Sequence, residues 1–349
     1  MMHFSINSIG VGGDNRCFII AEMSANHNQD FDLAVKTIHA VKESGADAIK
    51  FQTYTADTIT LNCKNNFFKI KTGGNWDGKT LYELYSEAYT PWEWQPQLKA
   101  IAEELGLVCF SSPFDKTAVD FLEEIHVPAY KIASPEITDI PLIEYIASKG
   151  KPIIISTGIA TLSEIEDAIN ACRKNGNDNI VILKCTTAYP APYSEINLKT
   201  IPDIEKRFNV ISGLSDHTEG FSVSVAAVAL GAKVIEKHFI LDRKLGGSDA
   251  FFSMEPNEFK EMVTSIRQVE EAIGKVSYDL TDKMLKSRNH RRSLFVIKDI
   301  NKGDIITSEN VRSIRPGYGL PPKFLQDILG KRAIIGVKRG MPFHMKFIK

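Results

Sequence analysis

Two histidines are the residues best placed to do chemistry in this chain: His217 in Gly213-Leu214-Ser215-Asp216-His217-Thr218, and His238 in Ile235-Glu236-Lys237-His238-Phe239. Each follows a short apolar run, residues 208–212 and 232–235, that reads as a buried parallel strand. A helix-length segment over 222–230 separates them, so they belong to consecutive βα units. In a closed α/β barrel, side chains at the carboxyl ends of strands gather at one mouth. Two neutral imidazoles there, with carboxylates beside them, would make an open divalent-metal site. Two histidines without a third ligand also fit a pair of satisfied core residues. The rest of the chain must decide.

Strand alternation selects the residues that share a cavity with them. In Ala48-Ile49-Lys50-Phe51-Gln52, Lys50 and Gln52 point one way while Ile49 and Phe51 point the other. By the same rule Glu236 and His238 point inward and Lys237 away. Lys131 again sets a charge inside a strand, in Tyr130-Lys131-Ile132-Ala133-Ser134, and Glu22 ends the first strand ahead of Asn26-His27-Asn28. Charges in such positions are costly unless paired, and a polar active site explains four of them better than structure does. Lys50 and Lys131, with Ser112, Ser134, Ser156, Thr186 and Ser215 at or just past strand ends, form an anion cradle. A lysine about 4 Å from a phosphate oxygen contributes roughly 4 kcal/mol at an effective dielectric of about 20, before desolvation. Some of these hydroxyls also cap the helices that follow, whose amino termini themselves favour phosphate.

The elements that must hold these groups alternate regularly. Strands are predicted over 17–22, 48–52, 107–111, 129–133, 152–157, 180–184, 209–213 and 233–238, with amphipathic helices such as 32–44, 94–105 and 162–175 between them. Eight such units predict an α/β fold, a (β/α)8 TIM barrel. The doubly wound open sheet is the rival, and no glycine-rich dinucleotide turn follows the first strand. Between the second and third strands lies an insert of about forty residues, long enough to suggest a functional loop. It holds Phe67, Phe68, Gly73, Gly74, Tyr82, Tyr85, Tyr89 and all three tryptophans, Trp76, Trp92 and Trp94. From about Arg291 the pattern changes to short strand-like pieces punctuated by glycine. The predicted organisation is a barrel over 1–274, a polar linker over 275–290 and a small β-rich domain over 291–349.

The chain has 349 residues with 43% hydrophobic and 24% charged content, ordinary for a soluble globular protein. The net charge of −1 hides an asymmetry: residues 283–349 carry 16 Lys and Arg against 4 Asp and Glu, and the remainder 26 against 39. A basic tail can bind nucleic acid. Without an aromatic-basic module or a helix-turn-helix signal, a basic domain docked on an acidic body is favoured, with no nucleic acid and no membrane as partner. Five cysteines without CxxC spacing, and a start without a signal-peptide pattern, point to reduced thiols in a cytoplasm.

These residues recur in order in a known family. Ala21-Glu22, Asn26-His27-Asn28, Lys50-Phe51-Gln52, Ser112-Pro113-Phe114, Tyr130-Lys131-Ile132-Ala133-Ser134, Ser156-Thr157-Gly158, Cys185-Thr186, Tyr189-Pro190, Leu214-Ser215-Asp216-His217 and Glu236-Lys237-His238-Phe239 together resemble the sialic acid synthase family. The tail, with Arg291-Arg292-Ser293-Leu294 and Arg315-Pro316-Gly317, resembles that family's antifreeze-like (SAF) domain. Within the family the chain is most similar to the pseudaminic branch, through Gly74-Asn75-Trp76-Asp77-Gly78-Lys79-Thr80, Pro91-Trp92-Glu93-Trp94, Ser248-Asp249-Ala250-Phe251-Phe252 and Pro316-Gly317-Tyr318-Gly319. The neuraminate branch usually has Asn where Thr187 stands.

The resemblance implies a metal-dependent condensation of phosphoenolpyruvate with an N-acetylated amino-sugar aldehyde, giving a nine-carbon 2-keto acid and phosphate. His217 and His238 would hold the ion, Mn2+ first, with Co2+ or Mg2+ as alternatives. Lys50, Lys131, Ser112, Ser134, Ser156 and Ser215 would cradle phosphoenolpyruvate, and Gln52 and Tyr189 would position substrate. Glu22 and Asp249 would bind sugar hydroxyls or move protons, while Glu236 would orient water or a ligand. The branch implies 2,4-diacetamido-2,4,6-trideoxy-L-altrose as the sugar, with neuraminate or legionaminate synthesis as the alternative. In the family the basic domain is exchanged in a domain-swapped homodimer, which would bring Arg315 to the partner's substrate. Two rivals stand outside this reading: a Schiff-base aldolase on Lys50 or Lys131, and a carbohydrate- or ice-binding protein with a dead barrel.

Overall fold

In the computed structural model, residues 2–71 and 76–349 are described; Gly73, Gly74 and Asn75 of the insert lie outside them. The chain divides into two units, Met1–Gly274 and Lys275–Lys349.

The first unit is a closed barrel of eight parallel strands: β3 (Phe18–Glu22), β4 (Ala48–Thr53), β5 (Val108–Pro113), β6 (Tyr130–Ile132), β7 (Ile153–Ser156), β8 (Ile180–Cys185), β9 (Ile211–Asp216) and β10 (Val234–His238). The strands follow one another around the wall, and β10 closes on β3. Two periodicities build it. Along β3 and β4, Ile19, Ala21, Ile49 and Phe51 face outward and pack with Ala34, Ile38, Leu98 and Met262 of the surrounding helices. Phe18, Ile20 and Ala48 face inward and fill the lower barrel with Val108, Ile211 and Val234. The charged residues stand one layer above that apolar plug. Helices start where polar side chains satisfy free N–H groups. Asp30 accepts from Leu33 at the head of Phe31–Glu43, and Thr161 with Glu164 boxes the start of Leu162–Lys174.

The register aligns the charged layer. Glu22 lies opposite Lys50 on one side and His238 on the other, while Glu236 lies opposite Ser215. Two details depart from the sequence expectation. Strand β9 runs from Ile211 to Asp216 instead of over 209–213, because Phe208 still belongs to the helix Thr200–Phe208 and Asn209 ends it in a left-handed conformation. Ser215 therefore sits within a strand. The second is a hairpin ahead of the barrel, β1 (His3–Ile6) and β2 (Ile9–Gly12), whose fully buried Ile6 and Val11 join the lower barrel core.

The second unit pairs β11 (Ser293–Val296) with β12 (Val311–Ile314) in antiparallel fashion over a core of Leu294, Val296, Ile300, Ile306, Phe343 and Phe347. The segment expected as a plain linker contains a helix, Asp282–Ser287, with every residue from 275 to 290 exposed. Among the described residues no helix is long and apolar enough to cross a membrane.

One glycine is indispensable to the wall. A Cβ on Gly213 would lie 2.3 Å from the carbonyl oxygen of Val234 and 2.7 Å from the Leu183 side chain. Gly213→Ala should therefore push β9 from β10 and destabilise the barrel by about 1–3 kcal/mol, the usual cost of overpacking. Chemical denaturation should show it as a lower midpoint at unchanged slope.

Candidate active site

Twelve of the side chains singled out in the barrel border one cavity of about 430 Å³ at the carboxyl ends of the strands. At its floor four buried charges alternate. Lys50 pairs with Glu22, its Nζ lies 3.8 Å from Glu236, and Lys131 Nζ lies 3.6 Å from the other Glu236 oxygen. Hydroxyls complete the ring. Lys50 donates to Ser112 Oγ (3.3 Å), Lys131 donates to Ser156 Oγ (2.7 Å), and Ser215 Oγ donates to Glu236 (3.0 Å). Ser112 thus acts beneath the cavity, through Lys50, rather than on its surface. Ser134 Oγ accepts the Gly158 N–H at 2.9 Å. That approach requires glycine, since a Cβ on Gly158 would fall 2.7 Å from the same oxygen and 2.0 Å from Thr187 Oγ1.

The charges shift one another in a consistent direction. Burial opposes the Lys50 charge, yet Glu22 and Glu236 more than offset it and hold Lys50 above the usual lysine range. Burial lifts the Glu22 carboxyl above its ordinary range, and Glu236 acts the same way against the pull of Lys50. For Glu236 the two lysines outweigh burial and keep it below the usual value. Lys131 is lowered, mainly by burial. Such a floor is a preorganised electrostatic surface.

The histidines stand on the opposite wall with ring centroids 5.3 Å apart. His217 Nδ1 donates to the Thr186 carbonyl at 3.1 Å, which leaves Nε2 free toward the cavity. His238 is held neutral, well below its usual pKa, by burial and by the cations around it; its buried Nδ1 has no hydrogen-bond partner and lies 3.8 Å from Asp249. Among the described residues no group of three or more His, Cys, Asp or Glu could hold a metal. The donor set is thus two imidazoles, one oriented by a carbonyl and one with an orphaned nitrogen. That fits a weakly held, exchangeable divalent ion. Beside them burial would raise the Cys185 thiol, but His217, Ser134 and Lys131 outweigh it and bring it down to about 7.

Above the floor the cavity is aromatic. Tyr189 lies over His217 at 4.6 Å and edges Trp76 at 5.9 Å. Trp76 in turn donates to the Ser248 carbonyl and meets Phe251, while Phe252 packs on His238. Gln52 and Asp249 meet at Ser24, which donates to Asp249 and accepts from Gln52. Sequence reading overlooked Ser24 and Glu136, which both border the cavity. Ser24 lies two residues beyond β3 and Glu136 four residues beyond β6, both outside the strand alternation that selected the floor. Burial lifts Glu136 to about 7, and its buried Oε2 has no partner. Arg315 lies in the second unit, exposed and just past β12.

Residues 37–278 match the model of the NeuB family, and residues 291–349 match the SAF domain. The chain belongs to the NeuB family. It is 49% identical over 327 residues to the Pseudaminic acid synthase of Campylobacter jejuni, covering 94% of this chain and 95% of that one. The N,N'-diacetyllegionaminic acid synthase of the same organism is 40% identical over 322 residues, covering 91% and 96%. The crystal structure of an N-acetylneuraminic acid (sialic acid) synthetase from Leptospira borgpetersenii in complex with citrate superposes with a TM-score of 0.72 at 31% identity, covering 82% of this chain and 95% of that one.

In this NeuB-family barrel the two histidines are fixed from behind. Asp216 and Lys237, each one residue before a histidine, point to the outer face and pair at 2.9 Å, both fully buried. Lys237 also donates to the Thr218 carbonyl, and Asp216 accepts from Thr218 and Ser224. Burial alone would raise Asp216; Lys237 and these donors outweigh it and hold it below the usual carboxylate range. Its contribution to stability is therefore present above the unfolded carboxylate pKa and is lost as pH falls through the lower folded value. Lys237→Met leaves a buried carboxylate alone and should cost about 3–5 kcal/mol, whereas adding Asp216→Leu to it should recover most of that loss. Urea denaturation of the two single variants and the double variant measures the coupling.

Proposed function

We propose that this barrel condenses phosphoenolpyruvate with 2,4-diacetamido-2,4,6-trideoxy-L-altrose to form pseudaminic acid and phosphate. The observation that carries the reading is one cavity with two lysines and their hydroxyls on its floor, an imidazole pair on its wall and an aromatic cage at its mouth. The sugar assignment is supported by identity to the C. jejuni relatives, nine points higher for the pseudaminate enzyme than for the legionaminate enzyme.

Phosphoenolpyruvate carries its charge at both ends, and Lys50 and Lys131 with Ser134, Ser156 and Ser215 take those oxygens while keeping Glu22 and Glu236 as counter-ions. Its enol carbon attacks the aldehyde carbon of the sugar, and the aldehyde oxygen takes up a proton. Positive charge then develops at the carbon bearing the bridging oxygen. Glu236, kept ionised between two lysines, faces that charge and orients the water that adds there. The added water gives one proton back to the site, replacing the one the aldehyde oxygen took up; the carbon–oxygen bond to phosphate breaks, the phosphate carries off the second proton, and the keto group forms. Glu22 and Asp249, both pushed toward protonation by burial, are placed to pass protons at the sugar end. His217 and His238 would hold a divalent ion, Mn2+ first, which when bound supplies Lewis-acid polarisation of the aldehyde. Trp76, Tyr189 and Phe252 offer apolar faces to the acetamido and methyl groups, and Glu136 offers an unpartnered carboxyl oxygen. The reading extends to a cytoplasm, where the five free thiols would stay reduced, and to a domain-swapped homodimer in which Arg315 would reach the partner's substrate.

A phosphate-release assay across a panel of amino-sugars tests the assignment. The diacetamido-trideoxy-altrose should exceed N-acetylmannosamine by about 10–200-fold in kcat/KM, the value of one lost apolar group or more. Equal efficiency on N-acetylmannosamine would remove the sugar assignment. For the ion, dialysis against chelator should abolish turnover and Mn2+ should restore it. His217→Ala should keep the wild-type circular dichroism spectrum while binding less Mn2+ by electron paramagnetic resonance.

A further inference from the structure

Ser24 is a residue to which no role has been given so far, and its geometry is unusual. It follows β3 by two residues, is buried, and adopts φ +47°, the left-handed region that glycine occupies without strain. A serine retained there costs backbone energy, and such outliers gather where function over-determines the conformation. Every polar group of Ser24 toward the cavity is used on a residue of the site. Its N–H donates to Glu22 Oε1 at 2.9 Å. Its hydroxyl donates to Asp249 Oδ2 at 2.5 Å and accepts from Gln52 Nε2 at 3.0 Å. The next N–H, of Ala25, also donates to Asp249. Three side chains from β3, β4 and the loop after β10 thus converge on one hydroxyl and one amide.

We propose that Ser24 is a positioning residue that fixes Gln52 and Asp249 relative to each other at the sugar end of the cavity. A hydroxyl that both accepts and donates sets the amide and the carboxylate at one separation. It also assigns their free faces: the remaining Gln52 and Asp249 atoms point to substrate because their inner atoms are taken. Methyl or hydrogen in place of the hydroxyl frees both. The inference rests on the amino-sugar reading of this cavity, and its test separates the two.

Ser24→Gly and Ser24→Ala lose the same hydroxyl, but glycine relieves the backbone and alanine does not. Ser24→Gly should therefore melt higher than Ser24→Ala. If the hydroxyl positions substrate groups, both variants should raise KM for the sugar selected by the panel about 10–100-fold, the loss of a hydrogen bond to a charged group. KM for phosphoenolpyruvate should stay within about twofold, and crystals of both variants should show Gln52 and Asp249 displaced from each other. A wild-type sugar KM in Ser24→Gly would overturn the proposal, because kinetics would then follow backbone strain and not the hydroxyl. So would an equal rise in KM for both substrates, or unmoved Gln52 and Asp249 in the variant crystals. A wild-type enzyme inactive on every sugar would instead overturn the amino-sugar reading, and the crystals would still decide whether Ser24 positions the pair.

Discussion

The alternation of charge across the barrel floor, Glu22 to Lys50 to Glu236 to Lys131, is the constraint around which the rest of this structure is arranged. None of the four is more than 5% exposed, so each would carry a heavy desolvation cost alone. Two positive and two negative groups in a ring offset that cost mutually, and the hydroxyls of Ser112, Ser156 and Ser215 take up hydrogen bonds the ions leave over. The arrangement holds only if four different strands end at the same height with the same inward phase. A one-residue slip of any strand would turn its charge into the helix layer. The parallel register that sets Glu22 opposite Lys50 and Ser215 opposite Glu236 is therefore a chemical requirement as much as a structural one.

The same logic extends outward. The pair behind the histidines occupies the opposite phase of β9 and β10, so consecutive residues serve two layers: Asp216 and Lys237 lock the helices, His217 and His238 face the cavity. The loop after β3 does comparable service for the mouth of the cavity. Asn26 donates to the Phe239 carbonyl and Ser253, His27 meets Thr90, and Asn28 donates to the Leu245 carbonyl. One short segment thereby ties the aromatic insert to the loop after β10, the two sources of the cage. His27 is held neutral there by burial, near pKa 4, which suits a structural hydrogen bond and not proton transfer.

What the sequence revealed and what it hid follow from periodicity. Eight strands were legible because a parallel strand buried on both faces stands out as a short apolar run, and a charge inside such a run, as at Lys50 and Lys131, marks its inward phase. Lys237 was correctly turned outward on the same rule. The hairpin of β1 and β2 was hidden because four-residue strands show too few alternations, although Asn7, at φ +51°, is the residue type a tight turn would use. The start of β9 was hidden because Phe208 is apolar in a helix just as in a strand. Ser24 and Glu136 were missed for another reason: they stand on loops, where no period says which way a side chain points.

That boundary between strand-borne and loop-borne residues separates two kinds of recognition. The floor that would meet phosphoenolpyruvate stands on strands, whose positions are fixed by ladders on both sides and cannot change without losing the charge ring. The groups that would meet the sugar, Trp76, Tyr189, Phe252, Asp249 and Glu136, all stand on connections between strands and helices. Loops can be rebuilt while the barrel beneath them is kept, because their backbone groups are satisfied locally or by water. A fold arranged in this way can keep one electrophile-capturing chemistry and exchange its sugar. Relatives named for pseudaminate, legionaminate and neuraminate synthesis, all matching over most of this chain, are what such a division would produce.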